Sequence, residues 1–379
     1  MSLQFSNDVN KHELKKFIAY LFEQSNEESM KEFAIFISDI NWELRDLVAK
    51  IIVTRIHHAI RNDSFNELYT IKWIITEHLC DSGLVHFFKF YPVANSEEKK
   101  FMEECMRDSK IPPIYPVLLF LIKGNDSLLP LVQNGIINLE KKLYIPKFIH
   151  CLTNENLQDD RLKFVINEIE SNLLFNDFNI IWNSMLNCNI EEGFLRYTYF
   201  FEKNITKKNC GKLIEAILVL DNQNEQKWKI DYLKKVLIKM GTNCSHKKSN
   251  IVIDALCSSI LNNETFTLSR YYSLDILYEI SQKNLICKRR VMKKVAKIFY
   301  STKYEYAKVF FDMLGDKDAL NFLKSQKKQR VNSKKYLPPV IDETMNIIRN
   351  WLNEKKTMPA QKYLPIPLGK SKDNISATI

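Results

Sequence analysis

Apolar residues recur at helical spacing almost wherever this chain is tested, and no stretch sustains the apolar–polar alternation of a strand bounded by a hairpin turn. That periodicity leaves amphipathic helices as the building unit. Leu14, Phe17, Ile18, Leu21 and Phe22 fall at i, i+3, i+4, i+7 and i+8, and Leu44, Leu47, Val48, Ile51, Ile52, Ile56, Ala59 and Ile60 continue a second stripe. Leu233, Val236, Leu237 and Met240 repeat the spacing, as do Tyr271, Leu274, Leu277 and Tyr278. Asn41 is the expected N-cap of the second stripe, with Glu43 and Asp46 near the positive end of the helix dipole. Only eight glycines in 379 residues argue against a loop-rich enzyme fold. Short polar breaks at Asn62-Asp63-Ser64, Asn154-Glu155-Asn156, Asn187-Cys188-Asn189, Asn222-Gln223-Asn224 and Asn262-Asn263 separate the helices. Such a rhythm builds stacked antiparallel helices. One wide irregular stretch, 92–116, with Pro112-Pro113 inside it, is expected to kink or subdivide the stack.

An internal echo accompanies this rhythm. Trp42-Glu43-Leu44-Arg45-Asp46-Leu47 and Trp228-Lys229-Ile230-Asp231-Tyr232-Leu233 both place an aliphatic residue two after Trp and Leu five after it, just past an Asx-containing turn. The pattern resembles the second-helix start of HEAT repeats; Arg45 takes the basic position there, and Asp231 departs from it. The resemblance implies an all-α, HEAT-like α-solenoid of stacked antiparallel helix pairs, with about seven repeats of 40–47 residues over 1–323. Beyond it, 324–340 reads as an exposed basic linker without apolar periodicity, opened into a last helix, 341–356, by Pro338-Pro339. The segment 357–379, with Pro359, Pro365 and Pro367, reads as an extended or disordered tail.

Positive charge is concentrated near the end of the chain. Residues 283–335 hold 16 Lys and Arg against 4 acids, a surplus of +12 where the whole chain carries +10. Local surplus of this kind attracts phosphates or an acidic receptor. Lys288, Arg289, Arg290, Lys293, Lys294 and Lys297 form a helical set, in which residues 290, 293, 294 and 297 share one solvent face opposite Val291, Val295 and Ile298. Aromatic residues interleave with these cations; Tyr300, Tyr304 and Tyr306 are the expected surface rings, while Phe299, Phe310 and Phe311 at helical spacing read as core. Lys327, Lys328, Arg330, Lys334 and Lys335 resemble a nuclear localisation signal, which implies an extended segment read by an import receptor. Ile341, Met345, Ile348, Trp351 and Leu352 form the apolar face of the last helix, expected to dock into a partner protein's groove because the linker offers nothing to guide it back.

Common chemistries find little support. Gly369-Lys370-Ser371 lacks the glycine a phosphate loop needs five residues earlier, where Leu364 stands; His12-Glu13 lacks a second His, and no Gly-x-Ser-x-Gly elbow is present. His57, His58, His78, Cys80 and His86 crowd one span, but an antiparallel hairpin turning near Asp63 separates His57 from His78 by about 12 Å along the helix axes, too far for one zinc. The eight cysteines are scattered singly and Met1–Leu21 carries no apolar leader, so a reduced intracellular protein is expected. The longest central apolar run, Val117–Ile122, is far short of the roughly 20 residues of a membrane span.

The expected function is a non-catalytic scaffold in a nuclear or nucleic-acid-associated complex, binding one or more proteins, with no cofactor, metal or small-molecule substrate. Direct RNA or DNA binding through 283–335 is the alternative. A third reading is an enzyme resembling the DNA alkylation repair glycosylases, for which Trp228 and Asp231 have suitable types.

Overall fold

The computed structural model describes residues 11–24, 26–173, 177–222, 227–243, 246–262 and 267–353. Twenty α-helices and no strand occur among them. Two compact units divide the chain: unit 1 comprises Met1–Ser184 with Cys188–Gly193, and unit 2 comprises Met185–Asn187 with Phe194–Ile379. The irregular stretch expected at 92–116 therefore lies inside unit 1.

In unit 1 the helices are α1 (Lys11–Gln24), α2 (Glu27–Asp39), α3 (Trp42–Arg61), α4 (Phe65–Trp73), α5 (Cys80–Phe90), α6 (Ser96–Arg107), α7 (Ile114–Lys123), α8 (Leu129–Ile136), α9 (Lys141–Cys151) and α10 (Asp159–Asn172). The boundary falls at α11 (Asp177–Leu186) and α12 (Glu191–Lys203). Unit 2 continues with α13 (Lys207–Asn222), α14 (Lys227–Asn243), α15 (His246–Leu261), α16 (Thr267–Lys283), α17 (Leu285–Val295), α18 (Tyr304–Leu314), α19 (Lys317–Asn332) and α20 (Val340–Asn353).

The sequence stripes are the buried faces. Leu14, Ile18, Leu21 and Phe22 are buried on α1, and Val48, Ile52, Ile56 and Ala59 on α3, whose N-cap Asn41 accepts the Leu44 N–H at 2.9 Å. Helices touch their immediate and next-but-one neighbours: α3 packs on α4 and α5, α7 on α8 and α9, α13 on α14 and α15, and α15 on α16 and α17. Among the described residues, no helix is long and apolar enough to cross a membrane. The six cysteines with described side chains, Cys105, Cys151, Cys188, Cys210, Cys257 and Cys287, are buried and form no disulfide. Burial pushes the Cys151 thiol up to about 11 and the Cys257 thiol up to about 12.

Three expectations change. Much of the stretch 92–116 is helical, because Asn95 and Glu98 form a reciprocal cap: the Glu98 N–H donates to Asn95 Oδ1, and the Asn95 N–H donates to Glu98 Oε2, both at 2.9 Å. Met102, Cys105 and Met106 then anchor α6 through an otherwise polar sequence. Replacing Asn95 with Ala should cost about 1 kcal/mol, read as a lower urea midpoint at unchanged slope. An unmoved midpoint would show that the cap contributes nothing.

The expected linker is largely helix. Asp316 caps α19 by accepting the Ala319 N–H at 2.9 Å, Leu320 and Leu323 are buried, and the helix propagates through Lys, Gln and Arg, which are good helix formers. It ends where Lys334 takes a left-handed φ of 51° and the Lys335 N–H donates back to the Arg330 carbonyl.

The last helix is not free either. Ile341, Met345 and Ile348 are buried, and α20 packs on α18 and α19. With α19 formed, only residues 333–339 separate the two helices, so α20 returns onto the preceding helices. Trp351 and Leu352 at its far end are half-buried, while 354–356 and the expected tail lie outside the described residues.

Candidate functional site

The basic segment of unit 2 is built on α17, a following 3-10 turn over Ala296–Tyr300, and α19. Its cations divide into held and free groups. Lys288 pairs with Asp316 and with Asp318, Lys294 lies 2.7 Å from Asp254, and Lys327 lies 2.6 Å from Asp342. Desolvation of the half-buried Lys288 ammonium works to lower its pKa, and the Asp316 and Asp318 carboxylates outweigh it and raise the value. Arg290 is half-buried, and its Nε is buried with no hydrogen-bond partner. By contrast Arg289, Lys293 and Lys297 are exposed and make no ion pair among the described residues, and the same holds for Lys324, Lys328, Lys334 and Lys335.

The shared face expected for residues 290, 293, 294 and 297 is thus incomplete. Two of its members face protein, and the change to 3-10 geometry after Val295 turns Lys297 away from the α-helical register. Two groups distant in sequence do meet: the Arg330 guanidinium lies over the Tyr300 ring at 4.0 Å. This stack joins the 3-10 turn to α19, and it occupies one face of Tyr300. Tyr304 remains exposed, whereas Tyr306 is buried, with the Arg270 guanidinium 5.6 Å from its ring centre. Phe299, Phe310 and Phe311 are core. Lys327, Lys328 and Arg330 are helical and not extended, so an import receptor that reads extended lysines would first have to unwind the end of α19.

Of the two residues considered for an enzyme, Trp228 meets Phe194 edge-on at 5.2 Å, and Asp231 is half-buried on α14. The histidines of unit 1 are also spread among separate partners. His57 pairs with Glu98, His58 lies 3.8 Å from Glu67, and His86 Nε2 lies 3.0 Å from Asp46. The Cys80 side chain and Cys244 lie outside the described residues.

His78 marks a feature that spacing did not reveal. It ends a π-helical turn, Ile74–His78, between α4 and α5, and an open cleft of about 400 Å³ lies against it. Trp42 and Arg45 reach this cleft from α3, Asp81 and Val85 from α5, Ile111 from the segment leading into α7, and Tyr115 from the first turn of α7. Arg45 Nη2 donates to the His78 carbonyl at 2.6 Å, and the imidazole packs edge-on to Trp73 at 4.4 Å. Desolvation lowers the His78 pKa and so favours the neutral ring. Trp42 and Arg45 belong to the repeated motif, but the extra residue of the π turn carries no signature in an apolar run such as Trp73–Ile75. No protein-family model, curated protein or solved structure matches this chain.

Proposed function

We propose that the protein is a non-catalytic helical scaffold of a nuclear or nucleic-acid-associated assembly, in which unit 2 contacts nucleic-acid phosphates. The observation that carries this reading is the set of exposed, unpaired cations on α17, its 3-10 extension and α19, with the 3-10 extension tied to α19 where Arg330 stacks on Tyr300. The charge of the unit agrees: unit 2 holds 35 Lys and Arg against 17 Asp and Glu, a formal +18. Packing of α3, α7, α13 and α15 on their following and next-but-one neighbours is what supports a HEAT-like solenoid, an architecture that offers a long surface for several ligands.

Binding of a fluorescent single-stranded RNA or DNA by the full chain tests the reading. Affinity should fall by orders of magnitude from about 50 to about 200 mM salt, and a variant with Arg289, Lys293 and Lys297 replaced by Gln should bind more weakly with a salt slope shallower by about 2–3. Binding that is insensitive to salt, or identical in the variant, would remove phosphate contact from the proposal.

A further inference from the structure

Unit 1 has the opposite electrostatic character. It holds 20 Lys and Arg against 28 Asp and Glu, a formal −8, and its cleft at the π turn is lined by two aromatic rings that the fold leaves open. Trp42 is 74% exposed and Tyr115 62%.

The charges around the cleft are not equally available. Arg45 donates to the carbonyl of His78, where the helical segment ends and its dipole is negative, so its positive charge is partly offset by the backbone. Lys110, next to Ile111, is held by Glu77 at 2.9 Å. Asp46 is engaged by His86. Asp81 is exposed on the first turn of α5 and makes no ion pair or hydrogen bond among the described residues. Burial of the His78 ring favours its uncharged form, which lessens repulsion toward a cation. The cleft therefore offers the Asp81 carboxylate, the exposed Trp42 and Tyr115 rings, the His78 Nε2, which is buried without a hydrogen-bond partner, and the apolar side chains of Val85 and Ile111.

That combination matches an amphipathic cation. Lysine and arginine carry an aliphatic stem that covers apolar surface and a charged head that is attracted to the face of Trp or Tyr and to a carboxylate. An anionic ligand would meet the net charge of −8 and the bare Asp81. We propose that this cleft binds a lysine or arginine side chain presented by a basic peptide segment of a partner protein, with Trp42 and Tyr115 against the head group, Asp81 as its counter-ion, and Val85 and Ile111 along the stem. The site is separate from the phosphate contacts of unit 2 and does not depend on them.

The test uses the full chain and two fluorescein-labelled ten-residue peptides, one alternating Arg with Gly and one alternating Glu with Gly, followed by anisotropy. The Arg peptide should bind, and any binding of the Glu peptide should be indifferent to substitutions in the cleft. Asp81→Asn and Trp42→Ala should each weaken the Arg peptide about tenfold or more, Asp81→Glu should restore most of the affinity, and Glu28→Gln, an exposed acid on α2, should change it less than about twofold. Because Trp42 and Asp81 are exposed, both variants should melt like the parent chain, and a variant that melts lower is replaced by Trp42→Tyr, for which a smaller loss is expected. Equal weakening by Glu28→Gln and Asp81→Asn would reduce the effect to diffuse charge and overturn the site. Binding of oligouridylate that is lost in Trp42→Ala, with the Arg peptide unaffected, would overturn it in favour of base stacking.

Discussion

Ile348→Ala is expected to lower the stability of unit 2 by about 2–5 kcal/mol, since it deletes a fully buried side chain from the packed face of α20 and leaves a cavity against its neighbours. Trp351→Ala should cost much less, because the ring is half-buried at the end of the helix. The contrast is the decisive measurement. Docking of α20 into a separate protein would instead leave the isolated chain indifferent to both changes in urea unfolding. Near-parental unfolding of Ile348→Ala would mean that α20 is not part of the folded unit.

The second large effect concerns pH. Asp312 on α18 is 2% exposed, its Oδ1 has no hydrogen-bond partner, and burial pushes its carboxyl up to about 7 against the favourable charge of Lys308. An aspartate in the unfolded chain titrates near its ordinary value of about 4, so between about pH 4 and 7 the folded form holds a proton that the unfolded form has released. Stability therefore declines as pH rises through that window, and the whole penalty, roughly 2–4 kcal/mol, is present above about pH 7. Asp312→Asn removes the titration and keeps the shape. The variant should gain on the parent chain progressively from about pH 4.5 to 8. Because the buried amide has its own unmet hydrogen bonds, the diagnostic quantity is the change of the difference with pH. A difference constant across that range would show that Asp312 does not titrate on unfolding.

The helices were legible in the sequence where burial drives them. Stripes such as Leu44 to Ile60 mark the core face directly, because apolar periodicity is a record of what a helix buries. It is not a record of helicity itself. The later half of α19 has no apolar face and so read as a linker, although Lys, Gln and Arg propagate a helix once Asp316 and Leu323 have fixed its start. α6 was hidden for the same reason, its polar opening being organised by Asn95 and Glu98. The apolar face of α20 was legible, but periodicity states that a face is covered without stating by what. Among the cations, spacing placed Lys293 and Lys297 toward solvent, yet it had no access to the acids that hold Lys288, Lys294 and Lys327, since Asp316, Asp254 and Asp342 arrive through tertiary packing. The π turn behind the unit 1 cleft was invisible because one added residue in a helical turn changes backbone register without changing side-chain type.

The sealed thiols give this chain an internal clock. A thiol reacts as its thiolate; burial shields all six sulfurs and, at Cys151 and Cys257, also suppresses that form, so alkylation must wait for the surrounding helices to part. Cys105, Cys151 and Cys188 belong to unit 1, and Cys210, Cys257 and Cys287 to unit 2. The order in which a small alkylating reagent marks these six positions thus records, in the unmodified molecule, which helices separate first and whether the two units open together or apart.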